Sequence, residues 1–171
     1  VLFITGERRQ ESASRSKYFQ LEPHACDRRK GRTARLVDAW RPVLGWDEDR
    51  VWDALRRHRV IAPVPYRLGW GRSSCQTCIY NGPRIWATLK HYFPEKLEPI
   101  ARYEHEFGVT ISRSRRDVIT IAQEARPFEI NDLDALEQAM RTSYTLPILA
   151  ETDAEWKLPP GAFAREGCGS D

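Results

Sequence analysis

The sequence predicts an α/β protein, opening on a strand of a parallel sheet and closing with a helical C-terminal part. Val1 to Thr5 is a short continuous apolar run that ends at Gly6. That pattern suits a central strand covered on both faces. Beyond Pro83 the apolar residues recur at helical spacing instead, as Ile85, Trp86 and Leu89, then Leu97, Ile100, Ala101, Tyr103 and Phe107. The 171 residues amount to about one domain, and 41% of them are apolar, enough for a core.

Each element follows in order. Glu7 to Lys17 reads as a polar, helical segment, and residues 20–35, arginine-rich and without apolar period, as a loop. Val37 to Val43 contains a second short strand ending at Pro42. Trp46 to Leu55 is the clearest helix: Asp47 caps it, Glu48 and Asp49 complement the dipole of its first turn, and Val51, Trp52 and Leu55 form a buried stripe. Arg56, Arg57 and His58 fall in its last turn. Pro63 and Pro65 end regular structure, and Tyr66 to Cys78 is a glycine-rich loop. Pro83 and Pro94 open two helices, the second stopped by Gly108. Val118 to Ala125 and Asp132 to Arg141 predict two more, the latter with Leu133, Leu136, Ala139 and Met140 inward. Residues 150–171 read as an irregular peripheral tail.

The first four residues are too short an apolar run for a signal peptide, and no stretch approaches the roughly 18 to 20 apolar residues of a membrane span. The expected setting is therefore the cytoplasm, with no membrane partner. A strand-like run at the first residue, which is valine, suggests a piece of a longer protein or one chain of a split one. Charge is unevenly spread. Residues 1–35 carry nine basic against four acidic side chains, residues 131–171 three against eight. The basic end suits a polyanion, either a nucleotide phosphate or a nucleic-acid backbone, or forms a solvated loop.

Two segments carry chemistry. In the first, a strand ends at Gly6 and presents Arg8 and Arg9, with Glu7 and Glu11 placed to orient them or to bind a ribose hydroxyl. Ligands of open parallel sheets lie at the carboxyl ends of strands, glycine admits close approach, and guanidinium forks match phosphate. A charged helix start held by Glu7–arginine pairs is the plainer reading. The second is the Cys75-x-x-Cys78 pair. Two thiolates can grip one metal, a closed site needs about four ligands, and Cys26 and Cys168 are the candidates to complete it. A redox-active pair or two packed thiols are the alternatives. Arg72 stands just before the pair, where it favours thiolates or holds a phosphate.

Gly6-Glu7-Arg8-Arg9-Gln10-Glu11-Ser12-Ala13-Ser14-Arg15 resembles the Gly-x-Arg-x-x-Glu-Ser-x-x-Arg segment of phosphoadenylyl-sulfate (PAPS) reductases, with Arg8, Glu11, Ser12 and Arg15 matching. Trp40-Arg41-Pro42-Val43 with Trp46, Val51 and Trp52 resembles a second stretch of that family, and Pro65 to Cys78 its Pro-x-Tyr-x-x-Gly-x-x-Arg-x-Gly-Cys-x-x-Cys segment. The resemblance covers residues 1–78 as the C-terminal part of a nucleotide-binding domain, leaving 79–149 as a helical extension and 150–171 as a tail. It implies a partial doubly wound parallel sheet of the adenine nucleotide alpha hydrolase-like kind. It also implies ATP or a related adenylate as ligand, sulfur transfer (phosphorothioation among the activities of relatives), and a 4Fe–4S cluster or zinc on the cysteines. On it, Gly6, Arg8, Arg9, Glu11, Ser12, Arg15 and Arg72 bind nucleotide phosphate.

Two departures matter. The family's Ser-Gly-Gly-x-Asp-Ser phosphate loop is absent from residues 1–171 and would have to come from an upstream segment or a partner chain. Glu166-Gly167-Cys168-Gly169 matches the reductases' Glu-Cys-Gly-Leu-His tail only with an inserted glycine and without the leucine and histidine, so nucleotide activation rather than sulfate reduction is implied and no catalytic residue is assigned. A non-catalytic module binding nucleic acid or protein is the competing class. Of the tryptophans only Trp70, in the glycine-rich loop, suggests stacking on a base; Arg113, Arg115 and Arg116 read as a solvated loop.

Overall fold

The computed structural model describes residues 1–30, 32–112 and 114–164. The chain separates into two compact units, Val1–Ala54 and Leu55–Asp171. Among the described residues it is a mixed α/β protein with a small three-stranded sheet and six α-helices.

The first unit holds the sheet, with strands β1 (Leu2–Ile4), β2 (Leu21–Pro23) and β3 (Asp38–Trp40) in the order β1-β3-β2. β1 runs parallel to β3, pairing Leu2 with Asp38 and Ile4 with Trp40, whereas β2 is antiparallel to β3. This corrects the expectation for β1. It is an edge strand, and Leu2, Phe3 and Ile4 are 51%, 45% and 60% exposed. The middle position belongs to β3, whose Ala39 is buried together with Val37 and Leu44. The run Val1 to Thr5 has the composition of an interior strand, but among the described residues only β3 pairs with it. The three strands make a mixed sheet, with one parallel and one antiparallel pair.

Two single 3-10 turns, Arg9–Glu11 and Arg15–Lys17, stand where one helical segment was predicted. The predicted loop of residues 20–35 holds β2 and a hairpin closed by the Arg28–Arg35 bridge. Helix α1 (Glu48–Arg57) starts as its sequence predicts: Asp47 Oδ1 accepts the Arg50 N–H at 2.8 Å, and Trp52 is buried.

In the second unit α2 is the short Val64–Arg67 turn, α3 spans Pro83–Tyr92, α4 Pro94–Phe107, α5 Val118–Gln123 and α6 Leu133–Gln138. Proline opens α3 and α4, and Gly108 ends α4 at φ 62°, a left-handed cap that glycine adopts without strain. The core gathers Trp86 and Leu89 from α3, Leu97 from α4 and Phe93 between them with Val118, Ile121, Phe128, Ile130 and Ala135.

Two expectations change here. Trp70 is 3% exposed and stacks on Phe128 with ring centroids 5.7 Å apart, so it is a core residue and offers no face to a base. Leu133 on α6 and Met140 just past it are exposed, and Ala135 and Gln138 are the buried positions of the helix. Asp132 sets that phase by capping the helix through Ala135 N–H while taking two hydrogen bonds from Arg67. The tail is also fastened as far as it is described. Ile61 N–H donates to Ile148 O, Ala150 N–H to Arg59 O, and Gly161 N–H to Tyr66 O.

Candidate functional site

The first constellation grows from the carboxyl ends of the parallel pair. Because Ile4 lies opposite Trp40, the residues that leave the two strands are Thr5 and Arg41. Arg41 is 9% exposed. Its Nε donates to Glu7 Oε2 at 2.6 Å, and its NH1 donates to Glu22 Oε1 at 2.7 Å and to Phe19 O at 3.0 Å. Its guanidinium lies 4.4 Å from the Tyr18 ring centroid, a cation–π distance. Burial opposes its charge, and the hydrogen bonds to Glu7 and Glu22 more than offset that, so its pKa is raised. The same hydrogen bond from Arg41, helped by one from Thr5 Oγ1 at 2.9 Å, holds Glu7 below the usual carboxylate range. Glu7 therefore braces Arg41 rather than orienting Arg8 and Arg9.

That second task falls to Glu11, which faces both Arg8 at 3.4 Å and Arg15 at 2.8 Å. Arg8 NH1 also donates to Gln10 Oε1 at 3.3 Å, and Arg9 NH1 to Ser16 O at 2.7 Å. Ser12 Oγ accepts the Arg15 N–H at 3.2 Å, closing the second turn. Arg8, Glu11, Ser12 and Arg15 thus form one connected group, with Arg9 fixed beside it. A Cβ built on Gly6 would meet nothing within 4 Å, so no close approach in this structure requires glycine there. The group carries five cations (Arg8, Arg9, Arg15, Lys17 and Arg41) and three carboxylates (Glu7, Glu11 and Glu22), which leaves it net positive. Arg41 is the residue that sequence reasoning missed. Its only local signal is an arginine set between Trp40 and Pro42, just past β3.

The basic hairpin beyond β2 is internally braced. Asp27 accepts from Arg29 Nε at 2.7 Å and from Val37 N–H at 2.8 Å, and these hydrogen bonds, that of Arg29 foremost, lower its pKa to about 2. Arg29 also reaches Asp38, and its own pKa is raised. Cys26 is exposed in this hairpin, where its carbonyl accepts twice from Arg35.

The second constellation lies in the other unit. Cys75 and Cys78 are the first and last residues of a tight turn, closed by the Cys78 N–H on Cys75 O at 3.1 Å. Both are free thiols, Cys75 exposed and Cys78 half-buried. Arg72 NH2 donates to Cys78 Sγ at 3.0 Å, so the sequence-predicted residues Arg72, Cys75 and Cys78 do come together. A second turn follows, with Asn81 N–H on Cys78 O at 2.9 Å. The Asn81 side chain reaches back to Gln76 O at 2.7 Å, while its buried Oδ1 meets no donor among the described residues. Among the described residues no group of three or more His, Cys, Asp or Glu side chains could hold a metal. This loop supplies two of the roughly four ligands a closed zinc or iron–sulfur site needs. Cys168, the other ligand named beside Cys26, lies outside the described residues.

A curated protein of Escherichia phage 186, described as an uncharacterized 37.8 kDa protein in the gpa 5' region, is 28% identical over 104 residues. The match covers 61% of this chain and 29% of the phage protein, so the chain spans less than a third of that relative's length. No family model matches the chain, and no solved structure matches it.

Proposed function

We propose that the chain is the nucleotide-handling part of an adenine-nucleotide-dependent enzyme of sulfur metabolism. In this reading ATP or a related adenylate is bound by its phosphates at Arg8, Arg9 and Arg15, and an upstream segment or a partner chain supplies the phosphate loop. The observation that supports it is that β1 runs parallel to β3 and leads straight into a segment where Glu11 fastens Arg8 and Arg15 together. Anion ligands of parallel sheets sit at that end of the strands. Two guanidinium groups fixed by one carboxylate lose little freedom on meeting a phosphate, and Glu11 leaves donors on both of them unspent. Ser12 sets the turn that presents Arg15. Arg72 belongs to the other unit, where its NH2 donates to Cys78 Sγ.

The test is binding of a fluorescent ATP analogue to the chain alone and to the chain joined to a Ser-Gly-Gly-x-Asp-Ser segment. Arg8→Ala and Arg15→Ala should each weaken binding about tenfold, the scale of one charge-assisted hydrogen bond. Inorganic pyrophosphate should compete. Affinity that is indifferent to both substitutions would sink the reading.

A second reading has its own support. The hairpin beyond β2 exposes Arg28, Lys30 and Arg32 and holds a cavity of about 550 Å³ lined by Pro23, Asp27, Arg28, Arg29 and Lys30. A nucleic-acid backbone fits such a surface. Binding of an oligonucleotide that weakens steeply with salt, with no competition by ATP, would favour that module over the enzyme.

A further inference from the structure

We infer that Cys75 and Cys78 form a reversible dithiol–disulfide couple that exchanges with disulfide substrates. The inference is independent of the nucleotide reading, since it rests on a different loop of a different unit.

Three observations carry it. The first is backbone geometry. Cys75 and Cys78 are residues i and i+3 of a turn closed by its own hydrogen bond. Such a turn holds its end Cα atoms within about 7 Å. A disulfide needs Cα atoms about 4.4–6.8 Å apart, so the loop closes the ring with little backbone movement. The second is the unequal exposure of the two thiols. Cys75 is exposed and meets a disulfide from solvent, and Cys78 is half-buried behind it. The third is Arg72, whose guanidinium donates to Cys78 Sγ. That contact holds the Cys78 sulfur in place within the loop. The loop is also held from below by Asn81, whose side chain clamps Gln76 between the two cysteines.

The donor set argues against the main competing use of the pair. Two sulfurs without a third ligand nearby among the described residues make an incomplete metal site, whereas they make a complete dithiol.

The chemistry balances as follows. The Cys75 thiolate attacks one sulfur of a disulfide R–S–S–R; that S–S bond breaks, RS⁻ leaves, and a Cys75–S–S–R mixed disulfide forms. The Cys78 thiolate then attacks the Cys75 sulfur, forming the Cys75–Cys78 bond and expelling the second RS⁻. The chain loses two electrons to R–S–S–R, and the two thiol protons pass to the two departing thiolates.

The experiment equilibrates the 171-residue chain with reduced and oxidised glutathione at graded ratios, quenches with acid and alkylates. Tryptic cleavage after Arg72 and Arg84 leaves both cysteines in one peptide, Ser73–Arg84. Under oxidising ratios that peptide should lose two hydrogens and take no alkyl group. Under reducing ratios it should take two, over one shared transition. Cys78→Ser should accumulate the glutathione adduct on Cys75 at least about tenfold above the wild type, because nothing resolves it. A wild-type peptide that stays fully alkylated at every ratio, or that carries one glutathione on each cysteine, would overturn the inference. So would pairing of either cysteine with Cys26 or Cys168. The wild-type readout needs no variant to fold.

Discussion

Arg41 and Glu7, 34 residues apart, meet at 2.6 Å where the parallel strands β1 and β3 end. Glu22 and Phe19 O take the other face of the same guanidinium. Removing it strands two carboxylates and a carbonyl in a half-buried setting. Arg41→Ala should lower stability by about 2–4 kcal/mol, the range for breaking a largely buried pair with its hydrogen bonds intact on one side. Arg41→Lys keeps the charge but not the fork, and should recover less than half of the loss. Urea unfolding followed by tryptophan fluorescence measures both. A loss under about 0.5 kcal/mol would mean that the cluster is an ordinary surface ion pair.

The same cluster fixes a dependence on pH. Glu7 has a folded pKa below its ordinary 4.5, because Arg41 and Thr5 hydrogen-bond its charged form. A lowered carboxylate contributes stability that is complete above the unfolded pKa and is lost as pH falls through the folded one. Arg41 has its pKa raised, stays charged in both states at any workable pH, and adds no alkaline limb. Stability should therefore be flat from neutrality to about pH 5.5 and fall below about 4.5. Asp27, ordinarily 3.8 and here about 2, continues the decline to lower pH through its bonds from Arg29 and Val37. In an acid titration Glu7→Gln should begin less stable and show a shallower drop between about pH 5 and 3, and Asp27→Asn should flatten the region below. Equal acid slopes in wild type and Glu7→Gln would contradict the assignment.

What was legible in the sequence was local. The cap of α1 by Asp47, the proline starts of α3 and α4 and the glycine stop at Gly108 each depend on neighbours within four residues, and each appears as read. Long-range choices were not legible. Composition cannot say which glutamate an arginine will meet, so Glu7 went to Arg41 and Glu11 to Arg8 and Arg15. The apolar run of β1 describes how much cover a strand wants, not how much the described residues provide. The Cys75–Cys78 spacing was plain, but the hydrogen bond that closes their turn and the Arg72 contact with Cys78 Sγ were not.

Glu104 is a buried acid, 8% exposed, that serves the backbone. Its two carboxylate oxygens accept the N–H groups of Ile111 and Val118, each at 2.8 Å, and so tie the loop after α4 to the start of α5. Glu104→Ala leaves two N–H groups without their acceptor and should cost about 2–4 kcal/mol. Glu104→Gln keeps one acceptor and turns an NH₂ towards the other donor, so it should fall between. Amide exchange at Ile111 and Val118 should quicken in both variants before exchange elsewhere does. Unchanged protection at those two amides would show that other groups hold the loop.

Gly161 sits against the backbone of the turn that includes α2. A Cβ at that position would lie 2.1 Å from Trp70 O and 2.8 Å from Tyr66 O, and neither carbonyl is the end of a flexible side chain that can move aside. The Gly161 N–H itself donates to Tyr66 O at 2.8 Å, so one of the carbonyls the Cβ would strike is also the anchor. Gly161→Ala should release residues 159–164 from this turn and destabilise the chain by about 2 kcal/mol or more. Undocking also exposes the preceding backbone, so trypsin should cut after Lys157 faster than in the wild type. Gly45→Ala is the control: a Cβ there meets nothing within 4 Å, and its effect should stay within about 0.5 kcal/mol. If both alanine variants unfold alike and Lys157 is cut at an unchanged rate, residues 159–164 are not held by the Tyr66 and Trp70 carbonyls.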